Sequence, residues 1–143
     1  MSTPYTTIYA SFLDKVTDQY LASLTDTELN AQMLKFLNNS VPKFKKCKKD
    51  LSLRIIASAS FEANLSDEEI EVLANLMVIE WLKPLVNSLE LLKQAMSPKD
   101  FTLHSQANHL KELQALRKDA QAEISKLIVD YSYNNNSLDD LDD

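Results

Sequence analysis

The residues able to do chemistry gather in three short stretches. "KFKKCKK" sets Lys43, Lys45, Lys46, Lys48 and Lys49 around the single cysteine, Cys47. "SDEEIE" puts four carboxylates at 67, 68, 69 and 71, and "HSQANH" carries both histidines, His104 and His109. Two histidines five apart stand about 140° apart around a helix, so they share no metal-binding face. With one cysteine and no acidic residue at a ligand-like offset, they read as solvated or capping groups. Cys47 has no histidine beside it in sequence to make it a nucleophile, and reads as a small, partly buried hydrophobe. The carboxylates of 66–71 are accounted for by helix capping, with Ser66 as N-cap and Glu69 three residues on. The lysine run reads first as a solvated face around Phe44 or Cys47. Its sharper reading is an electrostatic contact with an acidic partner or nucleic acid. Lysine supplies point charge rather than the bidentate fork of arginine, which weakens a specific anion-reading role.

Glycine is absent from all 143 residues. That removes phosphate-cradling loops and glycine-flanked nucleophile elbows, and it disfavours hairpin-rich β architecture. Asn is then expected at any left-handed helix C-cap. The charge is −6, with a pI of about 4.9, and four of the last five residues are Asp. A net-acidic chain is a poor general binder of nucleic acid. One cysteine fits a reducing compartment. The start "MSTPYTTIYASF" lacks signal-peptide character, and no uninterrupted apolar run approaches 18 residues, so no membrane partner and no membrane span are expected.

The elements around these residues read as helices. Thr6 or Thr7 caps a first helix whose Ile8, Phe12, Leu13 and Val16 recur at helical spacing, and Tyr20, Leu21 and Leu24 follow near a turn. "TDTE" makes a capping box from Thr25 and Glu28, ahead of Leu29, Met33, Phe36 and Leu37. Pro42 ends that helix. Residues 50–65 show no clean period and read as a long irregular connection with a short extended piece. From Ile70 to Leu92 the apolar positions exceed what one buried stripe needs, which predicts a central helix covered on most sides, kinked at Pro84. Such a helix is either the hub of its own fold or covered in part by another chain, and Trp81 is a core residue or an interface anchor accordingly. "SPKD" offers Ser97 as a cap with Pro98 at the first helical position. The last helix spans about 106–131 on Leu110, Leu113, Ala120, Ile124, Leu127, Ile128 and Tyr131. The expected architecture is all-α: one domain over 1–133, a small bundle of four to five helices, and a mobile acidic tail over 134–143.

The order of "YTTIYASFLDKV", "ANLMVIEWLKP", "LLKQAMSPKDF", "SQANHLKEL" and a late "DYSY" resembles the head–tail connector, or neck adaptor, proteins of tailed bacteriophages that infect Gram-positive bacteria. The resemblance spans nearly the whole chain, without one diagnostic short motif. It implies a virion neck protein, made in the host cytoplasm, that assembles as a ring, commonly twelvefold, beneath the portal. It implies contacts with other copies, the portal protein and the next neck or tail-completion protein. DNA would pass through the channel without specific binding, and neither enzymatic activity nor a cofactor is implied. The candidate interface residues are then Trp81, the lysines Lys43, Lys45, Lys46 and Lys48, Ile55 and Phe61 in the irregular connection, and Tyr131 and Tyr133 where the tail begins. Two other classes compete: a helical nucleic-acid-associated regulator working through the lysines, and a small helical chaperone or inhibitor binding one partner through its apolar helix.

Overall fold

In the computed structural model the described residues are 2–16, 19–96, 99 and 105–142. They form five α-helices and a three-stranded sheet of two-residue strands. In chain order these are β1 (Thr3–Pro4), α1 (Tyr5–Leu13), α2 (Gln19–Ser23), α3 (Asp26–Ser40), a 3₁₀ turn (Val41–Lys43), β2 (Arg54–Ile55), a second 3₁₀ turn (Ile56–Ser58), β3 (Ser60–Phe61), α4 (Asp67–Ala95) and α5 (Ser105–Asp142).

Local chemistry explains most of the boundaries. Ser66 caps α4 through a reciprocal box: its Oγ accepts from the Glu69 N–H, while Glu69 Oε1 accepts from the Ser66 N–H at 2.7 Å. Thr25 accepts from the Glu28 N–H in the same way, but Glu28 answers the Thr25 hydroxyl rather than its backbone. Helix α1 begins earlier than its threonines suggest. Pro4 occupies the N-cap position in extended backbone, and no side chain caps the helix. Pro42 sits in the 3₁₀ turn that follows α3, as its missing N–H requires. Pro84, by contrast, lies inside α4, which continues past it to Ala95. The proposed cap at Ser97 and the histidine at 104 lie outside the described residues.

Helix α4 is the hub. Its first half packs against α1 and α3, and its whole length against α5. Val72, Leu73, Ala74, Leu76, Met77 and Ile79 are buried together with Ile8, Phe12, Met33, Phe36 and Leu37. A smaller cluster, Leu82, Val86, Leu110 and Leu113, joins the second half of α4 to the first half of α5. The two long helices run antiparallel, since Glu69 meets Tyr131 at one end and Glu90 meets Gln114 towards the other. The breadth of the apolar stripe is therefore met within the chain over the first half of α4, and it does not by itself require a neighbour. By length and hydropathy α4 could also cross a bilayer, but 56% of its most apolar window is buried inside the fold, as in a core helix.

The connection over 50–65 is more ordered than expected. Residues 54–61 form an antiparallel hairpin, and β1 adds to it in the order β1-β3-β2, with Thr3 opposite Phe61 and Arg54 opposite Phe61 on the other side. Thr3 fixes the N-terminal strand by donating to the Ala63 carbonyl and accepting from the Leu65 N–H, each at 2.9 Å. The hairpin needs a left-handed residue, and with no glycine available Ala59 takes it, at φ 49° and ψ 59°. Among the described residues no Asn fills such a position. The backbone of α5 is helical to Asp142, with no proline or glycine after Pro98 to interrupt it.

Candidate protein-interface surfaces

The five lysines of 43–49 separate by role. The 3₁₀ turn after α3 presents Lys43 to Glu80, a nearly buried carboxylate that Lys83 also pairs at 3.1 Å. Lys49 pairs with Glu69 at 3.0 Å. Lys45, Lys46 and Lys48 are exposed, and the Lys48 N–H donates to the Tyr131 hydroxyl. Phe44 is buried and sets its ring edge-on against Tyr131, with centroids 5.3 Å apart. The lysine segment is therefore pinned to the body, and part of its charge serves the fold.

Glu69 is the centre of that pinning and is 1% exposed. Its Oε1 accepts from the Ser66 N–H and from Lys49 Nζ, and its Oε2 from the Tyr131 hydroxyl at 2.8 Å, with Cys47 Sγ at 3.6 Å. The Tyr131 oxygen in turn accepts from the Lys48 N–H at 2.7 Å. Burial alone would push the Glu69 carboxyl up. The Ser66 N–H, the Tyr131 hydroxyl and the Lys49 ammonium together outweigh it and hold the group below its ordinary value. Burial raises the Tyr131 phenol, and the Glu69 charge raises it further. Burial also pushes the Cys47 thiol up to about 11, so it is protonated at neutral pH and a poor nucleophile. Glu80 follows the same pattern as Glu69: burial raises it, and Lys43 and Lys83 bring it below the usual range.

These are structural carboxylates, each with its charge answered. One glutamate serves as N-cap partner, salt-bridge acceptor and hydrogen-bond acceptor for a tyrosine 62 residues away. The capping motif was visible in the sequence, but the long-range partners were not. The one available signal was a tyrosine on the apolar stripe of α5, whose hydroxyl needed a buried acceptor.

Two of the residues singled out as interface candidates are core residues. Phe61 is fully buried, edge-on to Tyr5 with centroids 5.0 Å apart and with the Arg54 guanidinium over its ring. Tyr131 is 1% exposed and bound into the Glu69 cluster. Strand pairing turns Phe61 inward, and the antiparallel helix pair does the same to Tyr131. Trp81 is half-buried and packs between the two core clusters. Ile55 and Tyr133 are exposed. Ile55 does not stand alone: Leu53 and Ile56 flank it, and Ile56 is 84% exposed. Beside them lies a cavity of about 420 Å³ between α1, α3 and the hairpin, with Tyr5, Tyr9, Leu34 and Ile56 among its walls and Arg54 and Asn38 at its polar side. The Arg54 guanidinium donates to the Asn38 side-chain oxygen and lies over the rings of Tyr5 and Phe61, so its planar face is part of the wall.

Among the described residues no group of three His, Cys, Asp or Glu side chains could hold a metal ion, and His109 is exposed. No family model, curated protein or solved structure matches the chain.

Proposed function

We propose that this protein is a structural adaptor of a tailed-phage neck, which assembles with copies of itself as a ring beneath the portal and offers a docking surface to the next neck or tail protein. The observation that carries the adaptor reading is the exposed apolar edge at Leu53, Ile55 and Ile56, opening onto the cavity walled by Tyr5, Tyr9 and Leu34. Apolar side chains gathered at the rim of a concave site mark a surface that meets a partner. The inward use of Glu69 and Glu80 agrees with it, since the most buried ionisable groups hold helices together instead of converging on a substrate-sized site. The resemblance of the chain to connector proteins supplies the phage setting, the ring and the portal. The adaptor works without enzymatic activity and without a cofactor, lies in the virion neck after synthesis in the host cytoplasm, and lets DNA pass without specific contacts.

The breadth of α4 over its first half does not enter this reading, because the chain's own helices account for it there. The test is assembly of the purified protein with a portal protein of a tailed phage of Gram-positive bacteria, followed by electron microscopy of the product. A collar of density added to one end of the portal supports the adaptor, and Ile56→Asp, which charges the apolar edge, should reduce its occupancy at least tenfold. A compact one-to-one complex with some other protein, and no collar, would favour a small chaperone or inhibitor. Affinity for DNA that falls steeply with salt would favour the regulator.

A further inference from the structure

The cavity between α1, α3 and the hairpin carries a positive charge that the chain does not answer. Arg54 lies over the rings of Tyr5 and Phe61, 5.6 Å and 5.0 Å from their centroids, so aromatic carbon fixes its plane. It donates to the Asn38 side-chain oxygen, and among the described residues it pairs with no carboxylate. A guanidinium holds five donors in a rigid fork, so most of its hydrogen-bonding capacity is left for a ligand. The buried glutamates are treated differently: Glu69 and Glu80 are each met by a lysine. No Asp or Glu is among the described residues that line the cavity. Helix α1 begins in the same wall, at Tyr5 and Thr6, with no acidic residue in its first turn, so its field agrees in sign with Arg54.

The rest of the wall is largely apolar, with Tyr5, Tyr9, Leu34 and Ile56 around about 420 Å³. An occupant with an apolar body and a carboxylate answers both features. A cationic occupant would be repelled, and a neutral one would cover the guanidinium without pairing it. The exposed row of Leu53, Ile55 and Ile56 decides between a small acid and a chain segment. A small acid would fill the cavity and leave that row in water, whereas a segment of protein covers both. Strand β2 is at the edge of the sheet in the order β1-β3-β2, where extended backbone can lie beside it. We propose that the cavity receives an acidic, apolar segment of a partner protein, with an apolar side chain between Tyr5, Tyr9 and Leu34 and an adjacent carboxylate paired with the Arg54 guanidinium. The contact rests on the adaptor reading above and deepens it by naming the chemistry that the docking surface selects. A carboxylate on a fixed arginine fork adds orientation to the apolar contact and sets its register.

The experiment titrates ¹⁵N-labelled full-length protein with short synthetic peptides, blocked at both ends, that carry a central leucine or phenylalanine flanked by aspartate, asparagine or lysine. Amide shifts locate the site and give the affinity. The expected result is saturable shifts at Tyr5, Leu34, Arg54 and Ile56 with the aspartate peptides, and affinity at least tenfold weaker for the asparagine peptides and weaker still for the lysine ones. Arg54→Gln should lower the aspartate peptides to the affinity of the asparagine peptides and leave the latter unchanged, a pattern that general loss of the fold would not give. Equal affinity for the three series on the unaltered protein would overturn the carboxylate pairing. Peptides that move no amide at the cavity would overturn the contact. N-Acetylphenylalanine, a free acid, binding as tightly as the peptides would overturn a chain segment as the occupant. Assembly with portal protein separates this contact from the adaptor reading. A collar whose occupancy ignores Arg54→Gln would overturn the contact and leave the adaptor standing. Aspartate-selective binding at the cavity with no collar would overturn the adaptor and leave the acidic-segment site.

Discussion

Tyr131→Phe removes one oxygen from the middle of the Glu69 cluster and leaves the packing of the ring intact. Two hydrogen bonds go with it: the phenol's donation to Glu69 Oε2 at 2.8 Å and its acceptance from the Lys48 N–H at 2.7 Å. A hydrogen bond to a charged group contributes about 1.5–3 kcal/mol. The Glu69 carboxylate, 1% exposed, has no ready access to water as a substitute. The Lys48 N–H belongs to an exposed residue and can be rehydrated in part, so its loss adds about 1 kcal/mol. The expected destabilisation is about 2–4 kcal/mol. For 143 residues the unfolding entropy near the midpoint is about 0.3 kcal/mol/K, so a 3 kcal/mol loss lowers Tm by about 10 °C. Urea unfolding followed by far-UV circular dichroism reads the free energy, and Val129→Ala, on the exposed face of the same helix, serves as a control expected within about 0.5 kcal/mol. A Tyr131→Phe loss below about 0.5 kcal/mol would refute the reasoning. It would mean that Glu69 is solvated in solution and that α5 is not latched at this end.

Three more outcomes follow from the same geometry. Glu69 and Glu80 both have folded-state carboxyls held below their unfolded values, so in the acid range the unfolded chain binds more protons and stability rises with pH there. Their contribution is complete above the unfolded carboxylate range, near 4.5, and is lost as pH falls through the lowered folded values; Glu69→Gln/Glu80→Gln should flatten that acid limb in urea titrations at pH 3–6. Ala59→Gly should stabilise the fold by about 1 kcal/mol, because it relieves a left-handed Cβ at φ 49° at the expense of a more flexible unfolded chain; a loss of stability would contradict the left-handed turn. Leu73→Ala, fully buried where α4 meets the main core, should lose about 3–4 kcal/mol in the same urea assay, and a loss near 1 kcal/mol would show that α4 is not the hub.

The sequence showed the parts of this fold whose causes are local. Ser66 with Glu69 and Thr25 with Glu28 mark two helix starts, and the periodicity of Met33, Phe36 and Leu37 gives the buried face of α3. The density of apolar residues between Ile70 and Leu92 marked α4 as widely covered, but not by what: that depends on α1, α3 and α5 arriving from distant parts of the chain. Residues 50–65 were read as irregular because strand pairs of two residues leave no period, and their partners Thr3 and Pro4 stand more than 55 residues away. The same distance hid Phe61, which looks like a loop aromatic until β1 and β2 flank it. Glu69 was explained too early, since a capping role left no visible reason to seek Tyr131, Lys49 and Cys47 around it. Lysine spacing could not separate Lys43 and Lys49, which serve buried glutamates, from the exposed Lys45, Lys46 and Lys48.

The central claim, an adaptor built into a phage neck, meets its most direct test in quantitative affinity purification of the tagged full-length chain from phage-producing cells, with the recovered proteins counted by mass spectrometry. The account predicts portal and neck proteins in the eluate, with this chain in stoichiometric, multi-copy ratio to the portal and the ratio falling for Ile56→Asp. An eluate without portal protein, dominated by one host or regulatory protein at one-to-one ratio, would contradict it.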